Sequence, residues 1–372
     1  MRIIAALALL LTAGLGASNA RLFFGADDAD VVAAARQEKK LVIFSVVHAD
    51  VAVNDLLHAF TRRYPFIQVT NSDDDGARTY RRFKSEIAAG KPSADFIWSS
   101  AMDLQEKLIN DGLSLSYSTP EMPHLPAWAH WQDLGYGVTL EPIAFVYNRN
   151  FLSQAEMPRT HAKFAELLAE GGTRFDGHVA VYNPETSEVG MLLLSQDIRV
   201  SNDSWHLFQT LRQNNAKLYN TSRDMLTHIV KGDQWIGYDV IGSYALEMQK
   251  DHHELEVVFP TDYVLVMSRV AFVTATAAHP NTAKLFLNFL LSKDGQTILR
   301  NHGMGPVRTD IPVLGPQSRI NPIRTQAIRI GPGLLSDLDQ LVREQFLRRW
   351  RLAQTVPVAA ARPRQPGIGS PP

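Results

Sequence analysis

Apolar and polar positions along this chain alternate between two periods. Leu41–Phe44 is a short continuous apolar run that reads as a buried strand, and residues 51–64 follow with apolar positions at helical spacing. The same pair recurs as Ile67–Val69 before residues 80–89, and as Ala94–Trp98 before 102–110. Further strands are expected at Ala144–Tyr147 and Val179–Tyr182, with a helical stretch at 164–169 between them. Lys217–Tyr219, Trp235–Tyr238 and Val264–Val266 follow as strands of a second sheet. Repeated strand–helix winding implies mostly parallel sheets, so the predicted fold class is α/β. In such sheets a ligand lies beyond the carboxyl ends of the strands, which puts function in the residues just after each strand.

The first residues have a different pattern. Met1-Arg2 is a short positive start, Ile3–Leu11 is apolar, and Ala17–Ala20 ends in small residues, the layout of a cleaved secretory signal over 1–20. The apolar run is shorter than the roughly 20 residues of a membrane span, so an exported, periplasmic protein is expected. Composition then removes whole classes. With no cysteine among 372 residues there is no disulfide, thiolate metal site or cysteine nucleophile. A balance of 37 Lys+Arg against 38 Asp+Glu leaves no overall field for a polyanion, which excludes generic nucleic-acid binding. Residues 334–352 have helical spacing, with Arg343, Arg348, Arg349 and Arg351 on the later turns. This final helix is expected to pack on the first lobe of the fold. The Pro-, Ala- and Arg-rich tail, 356–372, is expected to be disordered.

Candidate chemistry gathers after the strands. Ser45 and His48 follow the first strand and Ser99-Ser100 the third. Asn183–Ser187 follows the Val179 strand, and Asp239–Tyr244, with Ser243, follows the Trp235 strand. Loops that open helices present free N–H groups and a positive dipole end, which suit phosphate or carboxylate. Ser99, Ser100, Thr186 and Ser187 would equally serve as helix caps, and each aromatic near a strand end has buried packing as its default. Arg78 and Arg81 could pair with a phosphate or balance Asp73–Asp75 on a solvated face. The run Asp251–Glu254 reads as a solvated turn rather than a metal site. No G-x-S-x-G, G-x-x-x-x-G-K-[ST], H-E-x-x-H or post-strand G-x-G-x-x-G occurs, so no enzyme is expected; an unusual secreted phosphatase using His48 or Asp239 is the enzymatic alternative.

The segments HPNTAKLFLNFLLSKDGQ (279–296), GPVRTD (305–310), VIFSVVHAD (42–50), SADFIWSS (93–100) and AFVYN (144–148) resemble those of periplasmic solute-binding proteins of bacterial ABC transporters. The likeness is to the two-lobed class of ferric-ion-binding proteins and their hexose-phosphate and phosphoglycerate relatives. It implies a type II periplasmic-binding fold: a first lobe of 21–140 plus 270–355, a second of 141–269, crossing strands between them, and closure over one ligand. Ferric members hold iron with a histidine, often a glutamate, and an adjacent tyrosine pair. By similarity His48 keeps the histidine, Ser100 replaces the glutamate, and Gly242-Ser243 falls near the tyrosine pair, leaving Tyr238 and Tyr244 isolated. That donor set is poor for a hard cation. The departures imply a small organic anion: a phosphorylated sugar, a phosphoglycerate-like acid or a phosphonate. Ser45, His48, Ser99, Ser100, Thr186, Ser187, Ser243 and Tyr244 would contact it, and Asp239 and Glu141 would accept from its hydroxyls, although Glu141 could instead form an exposed hinge salt bridge. Glu188 stands where related binders commonly carry a glycine. The alternatives are iron held by His48, Tyr238 and Tyr244, or a ligand sensor for a membrane kinase. No cofactor is implied, the partner is an inner-membrane permease or that kinase, and a monomer is expected.

Overall fold

A computed structural model describes residues 29–45 and 51–353, apart from the side chain of Asp73. The signal at 1–20, His48 and the tail at 356–372 lie outside these residues. The first half of the chain runs α1 (Ala29–Glu38), β1 (Lys40–Ser45), α2 (Val51–Arg63), β2 (Gln68–Asp73), α3 (Gly76–Ala88), β3 (Phe96–Ser99), α4 (Met102–Asn110), β4 (His130–Trp131), β5 (Gly135–Gly137) and β6 (Glu141–Asn148). It continues with α5 (His161–Glu170), β7 (Val179–Tyr182), α6 (Glu188–Val200), α7 (Ser204–Gln213), β8 (Lys217–Tyr219), α8 (Ser222–Lys231), β9 (Ile236–Ile241), α9 (Gly242–Gln249) and β10 (Leu255–Val258). Then come β11 (Val264–Met267), β12 (Val270–Val273), α10 (Pro280–Leu291), α11 (Lys293–Asn301), β13 (Thr325–Ala327) and α12 (Gln340–Leu352).

Two sheets result. The first has the order β2-β1-β3-β12-β5-β4, and the second β13-β11-β6-β9-β7-β8, with β10 also paired to β6. Strands joined through helices pair in parallel, β1 with β2 and β3, and β7 with β8 and β9. The strands that pass between lobes pair antiparallel, β12 with β3 and β6 with β9. One crossing leads from β5 to β6 and the return leads from β11 to β12, so each lobe is completed by chain from the far side of the sequence. One apolar cluster runs across both lobes, joining Phe83, Ile97 and Met102 to Leu192, Leu193 and Met225.

The C-terminal segment does not stay on the first lobe, as the sequence pattern suggests. β13 pairs in parallel with β11 of the second sheet, and α12 buries Phe346 and Trp350 beside Trp205 and Phe208 in the second lobe's core. The pair Arg351–Glu185 ties the end of α12 to the same lobe. An amphipathic helix docks wherever an apolar face is open, and the open face here belongs to α7.

Candidate functional site

Between the lobes lies an open cavity of about 470 Å³. Its lining includes Asp75, Ala101, Ser187, Thr221 and Ile241, and these are the N-cap residues of α3, α4, α6, α8 and α9. All five helices begin just after a strand, so five N-terminal ends with their free N–H groups and positive dipole ends face one space. Local sequence sets each start. Asp75 accepts from Arg78 N, Ser187 from Gly190 N and Thr221 from Asp224 N, the usual satisfaction of an orphan donor by a short polar side chain. Gly76 lets α3 and α4 approach, since a Cβ there would sit 2.6 Å from the Cβ of Ala101. Gly190 does the same for α6 over Tyr182.

Charge on the lining is mixed. Arg81 projects from α3 of the first lobe and Arg223 from α8 of the second, and neither has a carboxylate partner among the described residues. Arg223 does sit 5.8 Å from the ring centroid of Tyr244, within cation–π range. Asp75 is held by Arg78 at 3.4 Å, and Asp224 accepts from the Thr221 hydroxyl at 2.8 Å. Glu188, half-buried in the first turn of α6, has no partner among the described residues.

The residues expected to bind divide sharply. Ser100, Thr186, Ser187 and Tyr244 line the cavity. The Thr186 hydroxyl donates to Asn220 Oδ1 at 2.6 Å, while Ser187 donates to the Asn220 carbonyl at 2.9 Å and caps α6, so both donors are engaged inside the lobe. Ser99 is buried and accepts from Ala101 N at 3.1 Å; it braces the turn into α4 rather than lining the cavity. Ser45 is fully buried at the end of β1, and its hydroxyl has no partner among the described residues.

Three expectations are corrected. Asp239 faces the interior of the second lobe with φ +58° and forms a buried acid pair with Asp197. Tyr238 donates to Asp197 Oδ2 at 2.5 Å and Tyr263 to Oδ1 at 2.9 Å. Burial, and then the neighbouring Asp197, push the Asp239 carboxyl well above its usual range, so it holds a proton in the core and accepts nothing from the cavity. The left-handed backbone at Asp239 breaks the alternation of β9, so it shares Asp197 with its neighbour Tyr238 instead of facing the opposite side. Ser243 lines an adjoining cavity that shares Arg223 and Tyr244, but its hydroxyl is spent on Glu141 Oε2 at 2.5 Å at the crossing strands. Glu141 itself is fully buried rather than an exposed hinge charge, and Arg269 on the returning crossing meets it with Nε at 2.8 Å and Nη2 at 3.2 Å. Burial pushes the Glu141 carboxyl up, but the guanidinium and the hydroxyls of Ser243 and Thr139 outweigh it and hold the group below its usual value. Arg269 Nη2 also donates to the Tyr244 phenol at 3.0 Å, so the hinge pair reaches a cavity residue directly.

Of the three residues of the iron alternative, His48 lies outside the described residues, Tyr238 donates to the buried Asp197, and Tyr244 accepts a hydrogen bond from Arg269. No group of three His, Asp or Glu side chains suited to a metal occurs among the described residues. His252 pairs with Glu254 at 3.2 Å in its turn, and Arg78 pairs with Asp74 at 3.2 Å on an exposed face. Asn220–Asp224 follows the Lys217–Tyr219 strand and carries the same hydroxyl-rich pattern as the other post-strand loops, which is the signal in the sequence for Arg223.

Residues 46–305 match the family model for bacterial extracellular solute-binding proteins. The chain belongs to that family. This solute-binding protein is similar, at 33% identity, to the substrate-binding protein of an ABC transporter from Agrobacterium tumefaciens, with a TM-score of 0.79 over 85% of this chain and 94% of that one. Its fold is shared with AfuA of Actinobacillus pleuropneumoniae, solved with fructose-6-phosphate, at 17% identity and TM-score 0.68 over 84% and 99% of the two chains. It is shared equally with iron-bound HitA of Pseudomonas aeruginosa, at 17% identity and TM-score 0.67 over 84% and 99%. No curated protein matches the chain. Solute-binding proteins of ABC transporters deliver their ligand to a membrane permease; the family is a transport family, and membership of an extracellular family implies a periplasmic location. No helix among the described residues is long and apolar enough to cross a membrane.

Proposed function

We propose that this solute-binding protein captures a small organic anion carrying a phosphate or phosphonate group and hands it to an ABC permease. The observation that carries the reading is the meeting of five helix N-termini at one cavity flanked by Arg81 and Arg223. Helix N-termini and unpaired guanidinium groups each favour an oxyanion, and a guanidinium can grip it with two donors. The two arginines come from different lobes, so an anion gains both only when the lobes close. That difference in contacts is what lets a ligand bias a hinge. The AfuA likeness, whose structure holds a hexose phosphate, supports the ligand class at the level of fold.

The test is thermal unfolding of the ligand-stripped protein against hexose phosphates, phosphoglycerates, phosphonates, inorganic phosphate and ferric citrate. A ligand present at about 100 times its Kd adds roughly 2.7 kcal/mol and moves the midpoint by several degrees. A shift with a phosphorylated compound and none with ferric citrate is expected. Stabilisation by ferric citrate alone would overturn the reading and return His48 and Tyr244 to the list of metal ligands.

A further inference from the structure

We propose that the ligand is a zwitterion, with its anionic head at the helix ends and arginines and an ammonium group against Glu188. The proposal rests on the phosphate reading for the identity of the head but is tested separately from it. Of the carboxylates on the cavity lining, Asp75 is closed by Arg78 and by its own helix, and Asp224 is tied back to the Thr221 hydroxyl of its cap. Glu188 has neither kind of tie among the described residues. It is half-buried in the first turn of α6, one residue after the cap Ser187, at one of the helix ends that would receive the anion.

A carboxylate at a helix N-terminus is favourable for the helix, and this is the structural role that competes with the proposal. It is unfavourable for a purely anionic guest, because like charges a few ångströms apart in a partly desolvated cleft repel strongly. Asp103, fully buried on α4 and another acid, lies close enough to feel the Glu188 charge. The lining therefore carries two cations, Arg81 and Arg223, and an anion, Glu188, none of them in an ion pair among the described residues. A guest with a phosphate and an amine satisfies both signs; a simple phosphate or hexose phosphate leaves Glu188 facing negative charge.

Isothermal titration at low ionic strength and pH 7.5 with 2-aminoethyl phosphate and ethyl phosphate isolates the ammonium group, with glucose 6-phosphate and 3-aminopropanoate as further arms. The amine should tighten binding at least tenfold, equivalent to about 1.4 kcal/mol. In Glu188→Gln that preference should fall below threefold, and ethyl phosphate should bind the variant more tightly than it binds the unaltered protein. Equal binding of ethyl and aminoethyl phosphate, tighter binding of glucose 6-phosphate than of either, or an amine preference that survives Glu188→Gln would each overturn the zwitterion while leaving the phosphate reading intact. Binding of 3-aminopropanoate with every phosphate inert would overturn the phosphate head and support the zwitterion. Inertness of all four would end both. The melting point of the variant reports whether it folds, and the comparison of ligands on the unaltered protein does not depend on the variant.

Discussion

Two fully buried carboxylate sites in this solute-binding protein have opposite electrostatic solutions. At the crossing strands Glu141 stays ionised, because Arg269 supplies a guanidinium and Ser243 and Thr139 supply hydroxyl donors. Inside the second lobe burial raises both Asp197 and Asp239, the charge of Asp197 raises Asp239 further, and the nearby His161, with the Tyr238 and Tyr263 phenols that donate to Asp197, offsets only part of the rise. Burial alone does not decide the charge state; the partner does. The difference also sorts function, since the ionised site touches the cavity through Tyr244 and the protonated one is sealed in the core.

The largest expected effect breaks the first site. Arg269→Met should cost about 3–5 kcal/mol in denaturant unfolding, because it leaves Glu141 charged and unpaired, and Glu141→Gln in the same chain should restore part of the loss. A cost under about 1 kcal/mol would show the pair to be solvated and the contrast false. The pH dependence sharpens it next. Asp239 binds its proton more tightly folded than unfolded, so its contribution falls as pH rises above the ordinary carboxylate value of 3.8, by up to about 1.4 kcal/mol for each pH unit. Glu141 has the opposite sign: its stabilisation is present above the ordinary value of 4.5 and is lost as pH falls through its lowered folded value. Asp239→Asn, which tolerates a positive φ, should therefore flatten the alkaline side of a stability–pH curve and leave the acid limb unchanged. An unaltered alkaline side would mean that the pair is ionised.

Smaller effects test how far the contrast extends to the cavity. Arg223→Ala removes a cation that no carboxylate restrains, and should weaken binding of the stabilising ligand by roughly 1.5–3 kcal/mol in calorimetry with little change in melting point. Arg78→Ala removes an exposed pair with Asp74 and Asp75, and should change stability by less than about 0.5 kcal/mol and affinity not at all. A large effect of Arg78 with none of Arg223 would put the anion on the outer face of α3 instead.

Much of the fold was legible because its signals are local. The apolar runs at Val179–Tyr182 and Lys217–Tyr219 and the helix over 102–110 appear with the bounds the pattern suggests. At the site, Thr186, Ser187, Ser100 and Tyr244 were legible as post-strand residues. The same rule failed for Asp239 and Ser243, whose polar groups are engaged in the core and at the hinge, and it did not reach Arg223, which lies in the first turn of α8 rather than in the loop after β8.

Strand–helix alternation, the cap at Ser187 and the absence of thiol chemistry follow from residue type and spacing, because propensity, capping and composition act over a few residues. Tertiary packing alone decided that five helix ends share one cavity, that Glu141 meets Arg269 across 128 positions, and that α12 closes the second lobe. Those outcomes depend on which open face and which buried charge finds a partner. That is a property of distant segments brought together, and no local pattern encodes it.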